Sequence, residues 1–322
     1  MDGHDGWGAG APHADEDELV ARLAELVDAP APGVLQGIGD DTAVLAPDLA
    51  WTVDTQVDGV HFDRATSSPQ DVGWKALAVS LSDLAAAGAR PLAALVSVVL
   101  AEGDDAELEA VYAGLGACAR TYGCAIAGGD VARGSALALS VSALGRTTGA
   151  PGRGGARAGD VIAVTGTLGA SAAGLAALRD PALAAHPGAD ACIARHRRPH
   201  PRCDDGAVLA PVAHALMDVS DGLAADLPRI ARRSGVVLSV DLDALPVDAA
   251  TRAIAGALGV EPGVLAATGG EDYELLVIGP EDVLAACGVA LTVVGHVEAG
   301  PAEVRFAGRG AAAALRGWDH LR

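Results

Sequence analysis

The chain has 322 residues, 51% of them hydrophobic, and 42 acidic against 22 basic side chains give a net charge of −20. This length predicts two domains with a sizeable core, and the negative charge argues against nucleic acid and anionic membrane partners. With no bilayer-spanning apolar run and no N-terminal signal pattern, we expect a cytoplasmic protein.

The first half of the chain predicts a mixture of helices and strands. Residues 1–14 are glycine-rich and predict a disordered tail, whereas 15–27 carries an acidic start and apolar residues at helical spacing and predicts a helix. Further predicted elements are strands at 42–45 and 50–54, a helix at 70–87, a strand at 92–100, a helix at 104–122, and strands near 125 and at 137–144.

A glycine-rich break at 147–160 predicts a flexible loop at a domain junction, with the boundary near residue 149. The domains are then expected at 15–148 and 149–322. The second half alternates between strands and helices, with predicted strands at 161–165, 273–278 and 291–294, helices at 169–179, 189–196 and 203–213, and strand, helix and strand between 216 and 241.

Carboxylates recur at turns and in apolar segments of the first half. Asp40 and Asp41 are adjacent on a glycine-flanked turn, and since neighbouring side chains of an extended segment point to opposite sides, at most one aims into a given site. Asp54 is predicted to end an apolar strand, where a carboxylate does not help packing. Asp83 lies in a nearly all-apolar helix, where an unpaired charge is very costly.

Three later motifs repeat this pattern. In Gly-Gly-Asp at 128–130 the glycines would let backbone amides approach a phosphate while Asp130 holds a cation, although a hairpin turn is the plainer reading. Asp218 and Asp221 follow an apolar strand, and Asp221 could also be a helix N-cap. Gly-Gly-Glu-Asp precedes another strand at 269–272. Together these acidic turns indicate a shared pocket for Mg²⁺, which prefers oxygen ligands.

The basic residues restrict the kind of nucleotide site. The only lysine, Lys75, is not preceded by glycine, which excludes a P-loop, and the protein-kinase motifs are absent from the sequence. Metal ions and a few arginines must therefore neutralise the phosphate charge. Arg153, in the glycine-rich segment, is the best placed of the arginines to do so. Residues 166–171 could cradle a phosphate at a helix start, although a plain strand-to-helix turn is the simpler interpretation.

In this order the motifs resemble the thiamine-monophosphate kinase family, in the superfamily that includes aminoimidazole ribonucleotide synthetase. The resemblance covers residues 18–321 and is carried by the blocks GIGDDTAVL, VDTQVDGVHF, KALAVSLSDLAAAGA, GGDVARG, GDVIAVTGTLGASAAGL, HRRPHPR, DVSDGLAADL, GGEDYELL and RGWDHL. Several blocks are shared across the superfamily, while GGEDYEL and GWDHL point more narrowly to the thiamine enzymes.

The resemblance implies an α/β (α+β) fold of the aminoimidazole ribonucleotide synthetase type. It consists of an N-terminal mixed-sheet domain that dimerises and a C-terminal α/β domain. The implied reaction is ATP-dependent phosphorylation of thiamine monophosphate to thiamine diphosphate by direct in-line transfer, with several Mg²⁺ ions and a homodimer.

The resemblance also implies roles for individual residues. Those expected at Mg²⁺ are Asp41, Thr52, Asp54, Asp83, Asp130 and Asp218, with Asp221 on a further ion. Those expected at ATP are Gly129, Asp130, Arg153 and Ser220, and those at thiamine monophosphate are His61, Glu271 and Trp318. The family often has a hydroxyl residue directly before the strand-end aspartate, but here Val53 stands there, with Thr52 before it, so a side-chain ligand at 53 is excluded.

No general base is expected, because a phosphate monoester with a second pKa near ~6 is already ionised at neutral pH. Two alternatives stay open on the sequence. An aminoimidazole ribonucleotide synthetase-like enzyme would need a different substrate for ATP turnover, and a non-catalytic acidic metal-binding protein would leave ATP intact.

Overall fold

A computed structural model describes residues 16–27, 31–101, 105–311 and 315–318 of the chain. The predicted tail at 1–14 lies outside these ranges. The predicted first helix is confirmed as α1 (Glu16–Val27). Asp17 in its first turn accepts a 3.3 Å hydrogen bond from Arg229 Nε and pairs with Arg232, so α1 is fastened to the second half of the chain.

The first half builds one six-stranded sheet backed by two long helices. Its elements are β1 (Val34–Gln36), β2 (Ala43–Leu45), β3 (Leu49–Val57), α2 (Pro69–Ala86), β4 (Ala89–Leu100), α3 (Asp105–Tyr122), β5 (Ala125–Arg133) and β6 (Ala138–Thr147). The strand order is β1-β2-β3-β6-β4-β5, in which β4 and β5 are parallel and the other pairs antiparallel. The expected N-terminal mixed sheet is thereby confirmed.

The second half builds another six-stranded sheet, in the order β12-β9-β11-β7-β10-β8. Its strands are β7 (Val161–Thr165), β8 (Ala215–Asp218), β9 (Val237–Asp241), β10 (Leu275–Gly279), β11 (Leu291–Glu298) and β12 (Glu303–Ala307). Its helices are α4 (Ala170–Arg179), α5 (Pro181–Ala184), α6 (Ala189–Arg197), α7 (Cys203–Leu209), α8 (Leu223–Ser234), α9 (Ala249–Leu258), α10 (Pro262–Thr268) and α11 (Glu281–Ala286).

Helix α2 lies between the two halves. It starts with a capping box in which the Ser68 hydroxyl and the Asp71 carboxylate each accept from the other's backbone amide, and Pro69 fits its first turn. The helix packs on β3, β4 and β6 of the first sheet and also contacts β8 and α7. Because it is covered on both sides, its Lys75, Ser80 and Ser82 are buried and must find partners inside the protein.

Two strands differ from their predictions in a way that moves predicted site residues. Strand β3 continues to Val57 because it pairs with β6 along its whole length, so Asp54 lies within the strand and not at its end. Strand β5 runs on through the Gly-Gly-Asp motif, which is therefore neither a hairpin turn nor a loop after a strand. A side chain at Gly129 would meet the Val96 carbonyl at 1.9 Å, so this glycine permits the close approach of β5 to β4.

The segment between the sheets, 148–160, contains neither helix nor strand, as predicted. Leu216 N donates to Gly152 O at 3.0 Å, and Arg153 N donates to Asp40 at 2.8 Å. The segment is thus tied to both halves, and a domain boundary near residue 149 stays a prediction. No helix in the described part of the chain is long and apolar enough to span a bilayer.

Candidate active site

Three aspartates from distant parts of the chain converge between the two halves. Asp41 lies just before β2, Asp83 in the last turns of α2 and Asp218 at the end of β8. One carboxylate oxygen of each lies within 4.8 Å of those of the other two. The structure therefore brings together three of the predicted Mg²⁺ ligands, and we name Asp41, Asp83 and Asp218 the carboxylate cluster.

Hydroxyl groups orient two members of the cluster. Thr52 Oγ1 donates to Asp83 Oδ2 at 2.6 Å, and Ser82 Oγ donates to Asp218 Oδ2 at 2.5 Å. Thr52 was predicted as a metal ligand, which stays a prediction, and in the structure its hydroxyl donates to an aspartate of the cluster. Ser82 received no role from the sequence, although its position directly before Asp83 in an apolar helix was a signal that could have identified it.

The third aspartate is held by an arginine. Arg153 Nη2 donates to Asp41 Oδ1 at 2.5 Å, and the backbone amide of Arg153 donates to Asp40. Both carboxylates contact Arg153, but only Asp41 of the pair belongs to the cluster, which agrees with the expectation that at most one of them aims into a given site.

The cluster is electrostatically unfavourable without a further cation. Burial, followed by the charge of Asp41, raises the pKa of Asp218 to about 7. Burial and the charges of Asp54, Asp218 and Asp41 raise the pKa of Asp83 well above its usual value. Burial, with the charge of Asp40, raises the pKa of Asp41 despite the charge and hydrogen bond of Arg153. Clustered carboxylate oxygens whose repulsion a divalent cation would relieve are a donor set that fits Mg²⁺.

Asp54 is the fourth predicted ligand near this cluster. It lies two residues after Thr52 on β3, so both side chains are on the same side of the strand, and its charge acts on Asp83 and Asp218. Val53 between them is 65% exposed on the opposite side of the sheet.

Asp221 has a cationic partner in the structure. Arg229 Nη1 donates to Asp221 Oδ2 at 2.7 Å and to the fully buried Asp226 at 2.9 Å. The alternative that Asp221 caps the following helix is wrong, because the N-cap of α8 is Gly222. Trp318 N donates to Asp221 O at 3.0 Å, so the C-terminal segment reaches this motif with the Trp318 side chain half exposed.

Asp130 is not brought to the carboxylate cluster within one chain. It lies on the edge strand β5, and two strands separate β5 from β3 in the sheet. Since adjacent strands are about 4.8 Å apart, β5 lies roughly 14 Å from β3. Asp130 is paired in register with Ser97 and is exposed.

A second set of polar side chains lies around Lys75. The Lys75 ammonium lies 2.6 Å from Glu271 Oε1 and donates to His61 O at 3.1 Å. Glu271 Oε2 lies 3.3 Å from His196 Nδ1, which is also 2.9 Å from the Ser171 hydroxyl. Burial, followed by the charge of Lys75, lowers the pKa of His196 to about 4, so this imidazole is neutral near pH 7. Two predicted substrate residues, His61 and Glu271, therefore both contact Lys75. From the sequence, this lysine had no role beyond excluding a P-loop.

The loop that presents Glu271 has an unusual backbone. Glu271 and Tyr273 have φ angles of 56° and 53°, in the left-handed region that costs energy for residues other than glycine. Their amides donate to the carbonyls of Ser220 and Val219 at 2.6 and 3.0 Å, which holds the loop against the end of β8. The predicted ATP residue Ser220 thus lies directly beside the Glu271 loop.

The two remaining acids of this motif have structural partners. Asp272 accepts from the amides of Gly169 and Ser171 at 2.7 and 3.3 Å, so the possible phosphate cradle at the start of α4 is filled by the chain's own carboxylate. Glu274 is fully buried and accepts from Thr165, Arg195 and Arg202.

Both halves of the chain match models of a known protein family. Residues 39–147 match the family model described as "AIR synthase related protein, N-terminal domain", and residues 157–307 match its C-terminal domain. The thiamine-monophosphate kinase of Salmonella typhimurium (strain LT2) is 39% identical over 322 residues, covering 95% of this chain and 98% of the relative. That of Aquifex aeolicus (strain VF5) is 37% identical over 288 residues, covering 88% and 92%.

A solved structure agrees with the sequence comparisons. The structure "AaThiL complexed with AMPPCP and TMP" superposes with a TM-score of 0.86 at 34% identity, covering 95% of this chain and 97% of the other. The likeness extends over both sheets and the helix between them. The chain therefore belongs to the thiamine-monophosphate kinase family, within the AIR synthase related proteins.

Proposed function

We propose that this protein transfers the γ-phosphoryl group of ATP to thiamine monophosphate, giving thiamine diphosphate and ADP. The observation that carries the proposal is the carboxylate cluster between the two halves of the chain. It occurs in a chain whose relatives are named for this reaction, one of them solved with AMPPCP and TMP bound. ATP use and five unpaired cysteines suit the cytoplasm, where we place the enzyme.

In this proposal the carboxylate cluster and Asp54 hold Mg²⁺ ions. Bound there, Mg²⁺ would neutralise the charge of the phosphate groups. Such ions would also let a chain of net charge −20 bind two polyanions. Asp221 would bind a further ion only if Arg229 moved away, because the Arg229 guanidinium donates a hydrogen bond to Asp221 Oδ2.

The remaining chemistry needs positioning more than proton transfer. An ionised oxygen of the acceptor phosphate forms the new bond to the γ-phosphorus while the bond to the ADP oxygen breaks, so no base is required. Arg153 and Ser220, close to the cluster, are proposed to contact ATP. The Arg153 guanidinium lies at the cluster through its hydrogen bond to Asp41, and its buried Nε has no partner in the described residues.

The proposed site for the thiamine part lies around His61, Glu271 and Trp318. The Trp318 side chain is half exposed beside Asp221 and offers a ring on which a cationic heterocycle could stack.

We also propose that the protein is a homodimer joined through the outer face of the first sheet. Trp51, Val53 and Leu95 are 50%, 65% and 52% exposed on that face, which no helix of the described chain covers. Exposed apolar patches of this kind mark protein interfaces. Asp130 is exposed and lies opposite the exposed Ser97 in the β4–β5 pair, so it is on the same face of the sheet as Leu95. A second copy packed on this face could bring Gly129 and Asp130 to the ATP bound by the first.

Purified protein incubated with ATP, Mg²⁺ and thiamine monophosphate tests the reaction. Chromatography should show thiamine diphosphate and ADP formed in equal amounts, and EDTA or omission of the acceptor should stop both. ADP formed only with a different ribonucleotide substrate would move the protein to the synthetase branch of its superfamily. ATP left intact under all conditions would favour a metal-binding protein without turnover.

A further inference from the structure

Lys75 is the only lysine of the chain, and its side chain is 4% exposed. A buried ammonium is very costly unless it is paired and hydrogen-bonded. Here it has an ion pair with Glu271 at 2.6 Å and donates a hydrogen bond to the carbonyl of His61 at 3.1 Å. These contacts join two loops that are 210 residues apart in the sequence, since 271 − 61 = 210.

Both loops are fixed where Lys75 touches them. Val57 N donates to His61 Nδ1 at 3.1 Å, so the other ring nitrogen, Nε2, carries the proton of the neutral imidazole. The Glu271 loop is held by its hydrogen bond to Ser220 and has a left-handed backbone. Burial alone would raise the pKa of Glu271, but Lys75, followed by His196, holds this pKa below its usual value. Glu271 is therefore an ionised carboxylate, and its side chain is still 28% exposed.

Resting on the function proposed above, we propose that Lys75 is a positioning residue of the acceptor subsite. It keeps the Glu271 carboxylate and the His61 loop in one fixed arrangement, so that both face the same bound molecule. The ligand that suits a partly exposed, ionised carboxylate is the heterocyclic, cationic part of a phosphate monoester.

Lys75 is separate from the carboxylate cluster. Ser82, which holds Asp218, is seven residues further along α2, roughly 10 Å away at 1.5 Å per residue. Removing the lysine charge should therefore weaken binding of the acceptor and leave the binding of ATP and Mg²⁺ unchanged. A lysine that only stabilised the fold would lower stability without this selective effect.

Kinetics of four proteins test the inference: wild type, Lys75→Met, Glu271→Gln and the double variant. Methionine keeps the length and apolar stem of lysine but removes its charge. We expect Lys75→Met to raise KM for thiamine monophosphate at least tenfold, with KM for ATP and kcat within about threefold of wild type. Because the ion pair with Glu271 is the charged contact of Lys75, Lys75→Met should change KM by less than threefold when Glu271 is already Gln, and the residual change reflects the lost hydrogen bond to His61 O.

Lys75→Arg keeps the charge and is expected to recover part of the lost acceptor affinity. Arg305→Met, which removes an exposed pair with Glu303 far from the site, is the matched control and should behave as wild type. If Lys75→Met does not fold, Lys75→Arg and Glu271→Gln still test the pair, and wild-type KM values in both would overturn the inference.

The outcomes separate this inference from the function on which it rests. Wild-type protein that does not phosphorylate thiamine monophosphate overturns both. Active wild type with unchanged acceptor KM in Lys75→Met, or equal loss of ATP and acceptor binding, overturns only the role of Lys75. Fully additive effects of the Lys75 and Glu271 substitutions would likewise show that the two residues do not act as a pair.

Discussion

The Ser82 hydroxyl donates a 2.5 Å hydrogen bond to Asp218 Oδ2, joining α2 of the first half to the end of β8 in the second. Both residues are buried. The bond fixes the orientation of one aspartate in the carboxylate cluster across the junction between the two halves.

Ser82→Ala should therefore impair metal use more than stability. Without the hydroxyl, the Asp218 carboxylate loses its fixed orientation, and we expect about a tenfold higher Mg²⁺ concentration at half-maximal rate. Ser80→Ala is the matched control, because Ser80 is equally buried on α2 but donates to the Val141 carbonyl. That control should lose about 1 kcal/mol of stability and keep its Mg²⁺ dependence. Equal Mg²⁺ dependence in both variants would contradict the role given to Ser82.

Asp83→Asn should largely abolish turnover while the protein remains folded. Burial and three neighbouring carboxylates already raise the pKa of Asp83, so a neutral side chain of the same shape relieves repulsion in the metal-free state. We expect Tm in EDTA to equal or exceed that of wild type, and the rise in Tm caused by Mg²⁺ to shrink. Calorimetry with and without Mg²⁺ measures both effects. Activity like that of wild type would remove the argument for a shared metal pocket.

Glu274→Gln should destabilise the protein although Glu274 belongs to the same motif as Glu271. Its fully buried carboxylate is the common partner of Arg195 and Arg202, and removing one partner of such a network costs about 3 kcal/mol. Urea unfolding would measure the loss. Glu303→Gln, which breaks an exposed pair with Arg305, should cost less than about 1 kcal/mol. A loss of that small size in Glu274→Gln would show that the network contributes little.

The stability of the wild type should acquire an acid dependence from His196. Burial and the charge of Lys75 lower its pKa from 6.5 to about 4, so the unfolded chain takes up a proton at higher pH than the folded one. Above pH 6.5 the imidazole is neutral in both states and does not lower the free energy of unfolding. As pH falls from 6.5 towards 4, protonation of His196 in the unfolded chain lowers the free energy of unfolding by at most about 3 kcal/mol. The difference in unfolding free energy between wild type and His196→Asn, measured from pH 7.5 to 4, should shrink accordingly. A pH-independent difference would contradict a neutral buried imidazole.

Leu95→Asp should separate the proposed dimer. The side chain is 52% exposed on the uncovered face of the first sheet, so a charge there is harmless in the monomer but is buried in a dimer. Sedimentation should give a dimer for wild type and a monomer for the variant, and the variant should lose activity if Asp130 acts across the interface. A wild-type monomer with full activity would exclude the interface proposed here.

The sequence predicted the main helices and strands because their apolar spacing is strong, as in α2 and β4. It missed α9 and β12, and it ended β3 too early because pairing with β6, not composition, decides where that strand stops. Asp83 and Asp218 could be predicted because each follows or interrupts an apolar segment, where a carboxylate does not help packing, whereas Asp41 lies on an ordinary turn and was linked to them by the family resemblance.

The partners of these residues could not be read from the sequence. Ser82 and Thr52 are ordinary in a linear view and become informative only when folding places each within 2.6 Å of a carboxylate. Similarly, Lys75 is a single charge in an apolar helix, and nothing in its local sequence names Glu271, almost 200 residues away, as its partner.

Helix α2 has a consequence for how the protein unfolds. Its surface is shared by both sheets, and its buried Lys75 and Ser82 find their partners in the second half of the chain. If the halves came apart, an ammonium and a long apolar surface would lose their cover at once. The two halves should therefore melt in a single cooperative transition, and neither should be stable when expressed alone.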